Sequence, residues 1–234
     1  MIYQCYFKKD QEQMLFNTDV YAPFGLEPEV NPDISLNCKE LEDPATRLAL
    51  TEYGAFLSIY KNDVWKKDND SWIGFTSYRQ LDKSPVIFKN KAKFSEILNI
   101  VCGGFAGWGY YYSRSNASTL SELCHPNINK FITDVLSHFG IKIPERFYTD
   151  KHLLFASYWA MNKSIFIDFM SWSWPIMQHA MTLTSHEFAH TKSPVPSVDQ
   201  RKWLGYFMER IFLIWYMIRD YRPSNIGPVC GLLA

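Results

Sequence analysis

The chain has 234 residues, 47% hydrophobic and 17% aromatic, and its 24 basic and 24 acidic side chains cancel. That length suits one large α/β domain or two small ones, and the balanced charge argues against a nucleic-acid binder that works by bulk positive charge. Five cysteines, at 5, 38, 102, 124 and 230 with no Cys-x-x-Cys pair, together with a start at Met1–Lys9 that lacks a leader pattern, predict a cytoplasmic protein. No apolar run reaches the roughly 18 residues that cross a bilayer, so no transmembrane segment is expected.

Ile2–Phe7 reads as a first strand. Prolines 23, 28, 32 and 44 make 22–45 mainly loop, with room for one short strand. Asp43 suits a helix cap and Pro44 the first helical position. That helix runs to about residue 61 on the stripe Leu48, Leu50, Tyr53, Phe56, Leu57 and Tyr60. Asp68-Asn69-Asp70 is a polar turn, and residues 71–76 form a buried strand. The region 97–112 reads as strand broken by glycines 103, 104, 107 and 109. Those glycines lack dinucleotide-fingerprint spacing and suit either a close approach to a sugar or a plain turn. Residues 118–139 look helical, 153–160 extended, and 165–181 helical with a bend at Pro175. A last helix spans about 198–219. The alternation predicts an α/β fold, a mostly parallel open sheet flanked by helices in a single domain.

Two features carry chemistry. The stretch Trp203–Tyr216 is apolar nearly all round, so it is a buried helix, yet it holds Glu209 and Arg210. A carboxylate there is costly unless it is paired or has a task, so the two are a structural ion pair or part of a site. In open α/β sheets ligands bind beyond the carboxyl ends of strands. The buried strand ends in Thr76-Ser77-Tyr78-Arg79, where a guanidinium beside hydroxyls suits a phosphate or diphosphate; a surface arginine is the bland alternative.

The residues Glu52-Tyr53-Gly54-Ala55-Phe56-Leu57-Ser58-Ile59-Tyr60-Lys61-Asn62, then Ile73-Gly74-Phe75-Thr76-Ser77-Tyr78-Arg79, then Gly205-Tyr206-Phe207-Met208-Glu209-Arg210-Ile211-Phe212, resemble the ordered blocks of a family of capsule and exopolysaccharide glycosyltransferases. Members occur in bacteria and large viruses. Met161–Phe169 with Trp172 follows a further block loosely, and His125 falls near a family histidine. The resemblance implies a GT-A-like (Rossmann-like) fold that moves a sugar from a nucleotide-sugar donor to a glycan or other hydroxyl acceptor. It implies a nucleotide-binding half, 1–115, and an acceptor-side half, 116–234. It puts the donor near Tyr6, Lys8, Asp33, Glu52 and Thr76–Arg79, and Trp108 and Arg210 on the acceptor side. It makes Glu209 the catalytic base, by fold-level analogy, with Asp199 and His190 as weaker candidates. Such folds commonly hold Mn²⁺ or Mg²⁺ on an Asp-x-Asp at the strand end. Here that place has no carboxylate. It also has Ser77 and Gln80 where the family has His and Arg, so metal use is open and Arg79 is a candidate for the charge. A degenerate module that binds a donor without turning it over is compatible with these departures.

A rival motif is His186-Glu187-Phe188-Ala189-His190. His residues at i and i+4 of a helix can hold zinc, with the glutamate activating water and Glu209 as a third ligand. Poor helix formers before the motif, Pro194 and Pro196 after it, and flanks without an apolar stripe weigh against that zinc peptidase reading.

Overall fold

Two strands, β1 (Ile2–Tyr6) and β3 (Trp72–Ser77), are buried along their whole length, as strands between two helical layers must be. They pair in parallel near the middle of a six-stranded sheet in the computed structural model, which describes residues 1–67, 69–83, 87–107, 110–112, 114–154, 158–222 and 224–225. The sheet order is β2 (Tyr21–Gly25), β1, β3, β7 (Trp159–Asn162), β4 (Phe105–Gly107) and β8 (Ser224–Asn225). A separate antiparallel pair joins β5 (Tyr110–Tyr112) to β6 (His152–Leu154).

The sheet is mostly parallel, as expected, but not wholly so: five of its six strands run one way and β7 alone runs against its neighbours. The β1–β2, β1–β3 and β4–β8 pairings are parallel, whereas β7 runs antiparallel to both β3 and β4. The reason is local: β7 starts beside the carboxyl end of β3, where Tyr158 meets Ser77, and runs back along it.

Strand alternation divides the core. Tyr3, Cys5, Ile73, Phe75, Trp159 and Met161 face one layer, packing against the helices Glu52–Lys61, Lys163–Thr182 and Trp203–Ile218. Ile2, Trp72, Ala106 and Ala160 face the other, against Tyr21, Phe88, Phe94 and Leu98. Cavity walls that depend on the first layer are therefore built from every second residue of β1 and β3.

Several elements are shorter than their sequence patterns. Asp43 caps as expected, accepting from the Thr46 amide at 2.9 Å. The helix then stops at Leu50 and restarts at Glu52, because Thr51 takes a left-handed φ of 52°. Residues 97–101 are a π-helix rather than strand. His125 to Asn127 divide the 118–139 region into the helices Ala117–Cys124 and Ile128–His138. Asp70, at the amino end of β3, receives the Met1 ammonium at 2.9 Å and Lys91 at 2.7 Å; the polar turn ties the chain start to the sheet, away from the site. Among the described residues no helix is long and apolar enough to cross a membrane.

Candidate active site

A cavity of about 250 Å³ opens where β1 and β3 end. Phe7 leaves β1 into its wall, and Ser77, Tyr78 and Arg79 enter it from β3. Opposite stands the start of the Trp203–Ile218 helix with Gly205, Tyr206, Met208 and Glu209, preceded by Lys202. Residues 202, 205, 206 and 209 share one helical face by their spacing of three and four. Thr51 and Glu52 bring the break between the first two helices to the same wall, with Tyr158 and Ser197 beside them.

Close approach of the helix depends on Gly205. A Cβ there would lie 2.3 Å from Thr51 Oγ1. Thr51 is a β-branched residue at positive φ, a conformation that persists only when its surroundings hold it. The strained residue and the glycine are thus two sides of one contact, and that contact sets how near Glu209 comes to the strand ends.

Glu209 is one quarter exposed, and its Oε2 accepts from Arg210 Nη1 at 2.6 Å; the Arg210 side chain is 4% exposed. Arg210 also donates to Ser121 Oγ at 3.1 Å and to the Tyr206 carbonyl at 3.1 Å. Burial pulls its affinity for the proton down and Glu209 pushes it back up. The cation is therefore fixed behind the carboxylate, which it orients toward the cavity. Tyr206 donates its hydroxyl to the Asp199 carbonyl at 3.0 Å, and burial, with a lesser push from nearby Glu209, raises its pKa to about 12. On its far side the ring stacks on His125, 4.1 Å between centroids. Burial, helped by the Arg210 charge, presses His125 down to about 3.

On the strand side, Ser77 Oγ lies 2.7 Å from the Tyr158 hydroxyl and accepts from the Arg79 amide at 3.2 Å. Arg79 Nε donates to Asp82 at 2.7 Å, and that ion pair raises its pKa further. A second cavity of about 690 Å³ adjoins the first, sharing Phe7, Tyr78 and Lys202 with it, and is walled further by Lys8, Glu29 and Asp199 among others.

Of the residues singled out from the sequence, Glu52, Ser77, Tyr78, Arg79 and Glu209 share the first cavity, and Lys8 and Asp199 wall the second. Arg210 stands behind Glu209 rather than in the cavity wall. Tyr6 and Thr76 wall neither, since alternation turns them away from the layer that holds Cys5 and Ser77. The Tyr6 hydroxyl donates to Glu12 at 3.3 Å, and the buried Thr76 hydroxyl has no hydrogen-bond partner among the described residues. Asp33 is exposed in the loop after β2 and also walls neither cavity. Trp108 lies outside the described residues.

The zinc-type motif does not form a binding face. His186 is the cap of a helix only four residues long, Glu187–His190. Its Nδ1 accepts from the Phe188 amide and its Nε2 lies 3.2 Å from Asp134. His190 is exposed, with Nε2 2.7 Å from the Thr184 carbonyl. At the strand end Asp82 is engaged by Arg79 and Glu209 by Arg210. Among the described residues no three His, Cys, Asp or Glu side chains converge as a metal site.

Thr51, Tyr158, Lys202, Gly205 and Tyr206 also line the first cavity, beyond the residues that the sequence singles out. For Lys202, Gly205 and Tyr206 the sequence carries a signal, since they stand seven, four and three residues before Glu209. Thr51 and Tyr158 carry no such periodic mark.

No family model matches the chain, and no curated protein matches it. Among solved structures it is similar to one described as the WbbM bifunctional glycosyltransferase in its apo form. The TM-score is 0.63 and the identity 15%, over 96% of this chain and 43% of that one. The chain thus has the fold of a glycosyltransferase structure, a mixed sheet flanked by helices in a single domain, and spans less than half the length of that protein.

Proposed function

We propose that the protein is a glycosyltransferase that moves a sugar from a nucleotide-sugar donor to a hydroxyl of a glycan or other acceptor, as an enzyme of polysaccharide biosynthesis. One observation carries this reading: Ser77 and Arg79 from a strand end share a single cavity with the arginine-backed carboxylate of Glu209. Fold likeness to a glycosyltransferase supports it.

In this reading the acceptor oxygen attacks the anomeric carbon and forms the new C–O bond. The bond from that carbon to the diphosphate breaks, and its electron pair leaves with the diphosphate. Glu209 takes the acceptor proton, and Arg210 keeps its carboxylate aimed. Cationic and hydroxyl side chains at the strand end receive the charge that develops on the leaving group. Residues 1–115 supply Glu52, Ser77, Tyr78 and Arg79; residues 116–234 supply Glu209 and Tyr206. A reducing setting such as the cytoplasm is proposed on the free thiols of Cys5, Cys38, Cys102 and Cys124.

Titration calorimetry with a panel of nucleotide sugars, with and without Mn²⁺, tests the proposal. Saturable binding of at least one donor is expected without added metal. No binding to any donor would overturn it. A donor that binds but is neither hydrolysed nor transferred in the presence of glycan acceptors would favour a degenerate binding module, a reading that the Arg79–Asp82 pair supports because it blunts the cation.

A further inference from the structure

We propose that Lys202, at the wall shared by two cavities, is the cation that grips the diphosphate of the donor. The assignment rests on the donor reading above.

Lys202 walls both the 250 Å³ and the 690 Å³ cavity, so its ammonium stands where a ligand passes from one to the other. Among the described residues it forms no ion pair. Its Nζ lies over the Phe7 ring at 5.3 Å. The nearby Asp199 feels the Lys202 charge weakly but is bonded to Arg201, at 3.0 and 2.9 Å. Arg79 is placed differently: its side chain is 57% exposed and already salt-bridged to Asp82, and it walls only the smaller cavity. Lys8 and Lys9 are exposed and wall only the larger one. Lys202 is therefore the half-buried cation whose charge is least answered and best placed for a phosphate pair.

The two compartments differ in chemistry. Phe7 and Tyr78 line both, and the larger adds Val30 and Leu48 as an apolar wall and Glu29 as an acceptor for ribose hydroxyls. The smaller holds Glu52 and Glu209, whose carboxylates suit the hydroxyls of a sugar. A donor lying across both has its diphosphate at Lys202. The cation then comes from the segment before the Trp203–Ile218 helix, seven residues before the proposed base, so one helix start holds leaving group and base in fixed relation.

The test is calorimetry of inorganic pyrophosphate and uridine diphosphate with the wild type and with K202Q, K202R and R79Q, each checked by thermal melting. Loss of a charge-assisted contact in K202Q is expected to weaken both ligands by about 10-fold or more. K202R should stay within about 3-fold of the wild type, since it keeps the charge, and R79Q should lose less than K202Q. Wild-type binding that K202Q leaves unchanged would overturn the assignment and leave the donor reading standing. K202R as weak as K202Q would also overturn it, because the loss would not be one of charge. A wild type that binds neither these probes nor the guanosine, adenosine, cytidine and thymidine diphosphates would remove the donor reading and this assignment together.

Discussion

Arg210 and Glu209 are neighbours in sequence with opposite fates: the guanidinium is sealed in the core, and the carboxylate 2.6 Å away looks into the cavity. On a helix that is otherwise apolar, this lets one side chain carry charge to the site while the next one anchors it.

The first prediction follows from that asymmetry. E209Q keeps an acceptor oxygen for Arg210 but removes the counter-charge of a buried guanidinium, so the protein should stay folded at a cost of about 3 kcal/mol, while sugar transfer should fall by about 10²-fold or more. R210M removes the buried anchor and should cost about 3 kcal/mol of stability in urea unfolding. E209Q turning over like the wild type would take Glu209 out of catalysis.

The Thr51–Gly205 contact gives a second. In G205A the new methyl meets Thr51 Oγ1 at 2.3 Å, and relief requires the helix or the strained residue to shift, costing about 1–3 kcal/mol. T51A/G205A should recover much of that loss, and a double-mutant cycle from urea midpoints should show strong coupling between the positions. Additive effects would contradict the packing described.

A third concerns acid. Burial, and after it the Arg210 charge, push the folded pKa of His125 down to about 3 from an ordinary imidazole value near 6.5. The unfolded chain therefore takes up this proton first as pH falls, and the native state loses stability. The contribution is complete above about pH 6.5 and is lost as pH falls toward 3, with a slope of up to about 1.4 kcal/mol per pH unit from this group. Burial and the neighbouring His138 lower His179 as well, and it acts with the same sign. Urea midpoints from pH 7 to pH 5 should fall in the wild type and fall less in H125Q, a comparison that isolates His125 from His179.

The His186–His190 segment supplies a fourth. With the His186 ring nitrogens turned to Asp134 and to the Phe188 amide, and His190 Nε2 to the Thr184 carbonyl, treatment with EDTA should leave the melting temperature unchanged. H186A should cost about 1 kcal/mol through loss of the cap. A large drop in melting temperature on chelation, restored by zinc, would contradict the geometry.

What the sequence reveals follows the strength of its periodic signals. β1, β3 and the last helix are mostly apolar; the two strands fold close to their expected bounds, and the helix starts at Trp203 rather than near 198. The break at Thr51 is hidden because the apolar stripe from Leu48 to Tyr60 runs across it. Ile97–Val101 reads as strand because a short apolar run does not distinguish strand from helix. Arg79 and Glu209 are legible as separate chemical anomalies, each out of place in its element. Lys202 is not, because a lysine before a helix is ordinary until the fold brings two cavities to it. Thr76 and Tyr6 illustrate the opposite case: residues beside the cavities in sequence whose side chains the pleat turns to the other layer.

Turnover in the Glu209 cavity is the most direct measure of the proposed activity. Purified wild type and E209Q, supplied with the donor that binds and with glycan acceptors, should bind that donor with equal affinity, while only the wild type releases nucleoside diphosphate in step with glycan product. Equal product formation by both proteins, or release that is untouched by changes at Glu209, would contradict it.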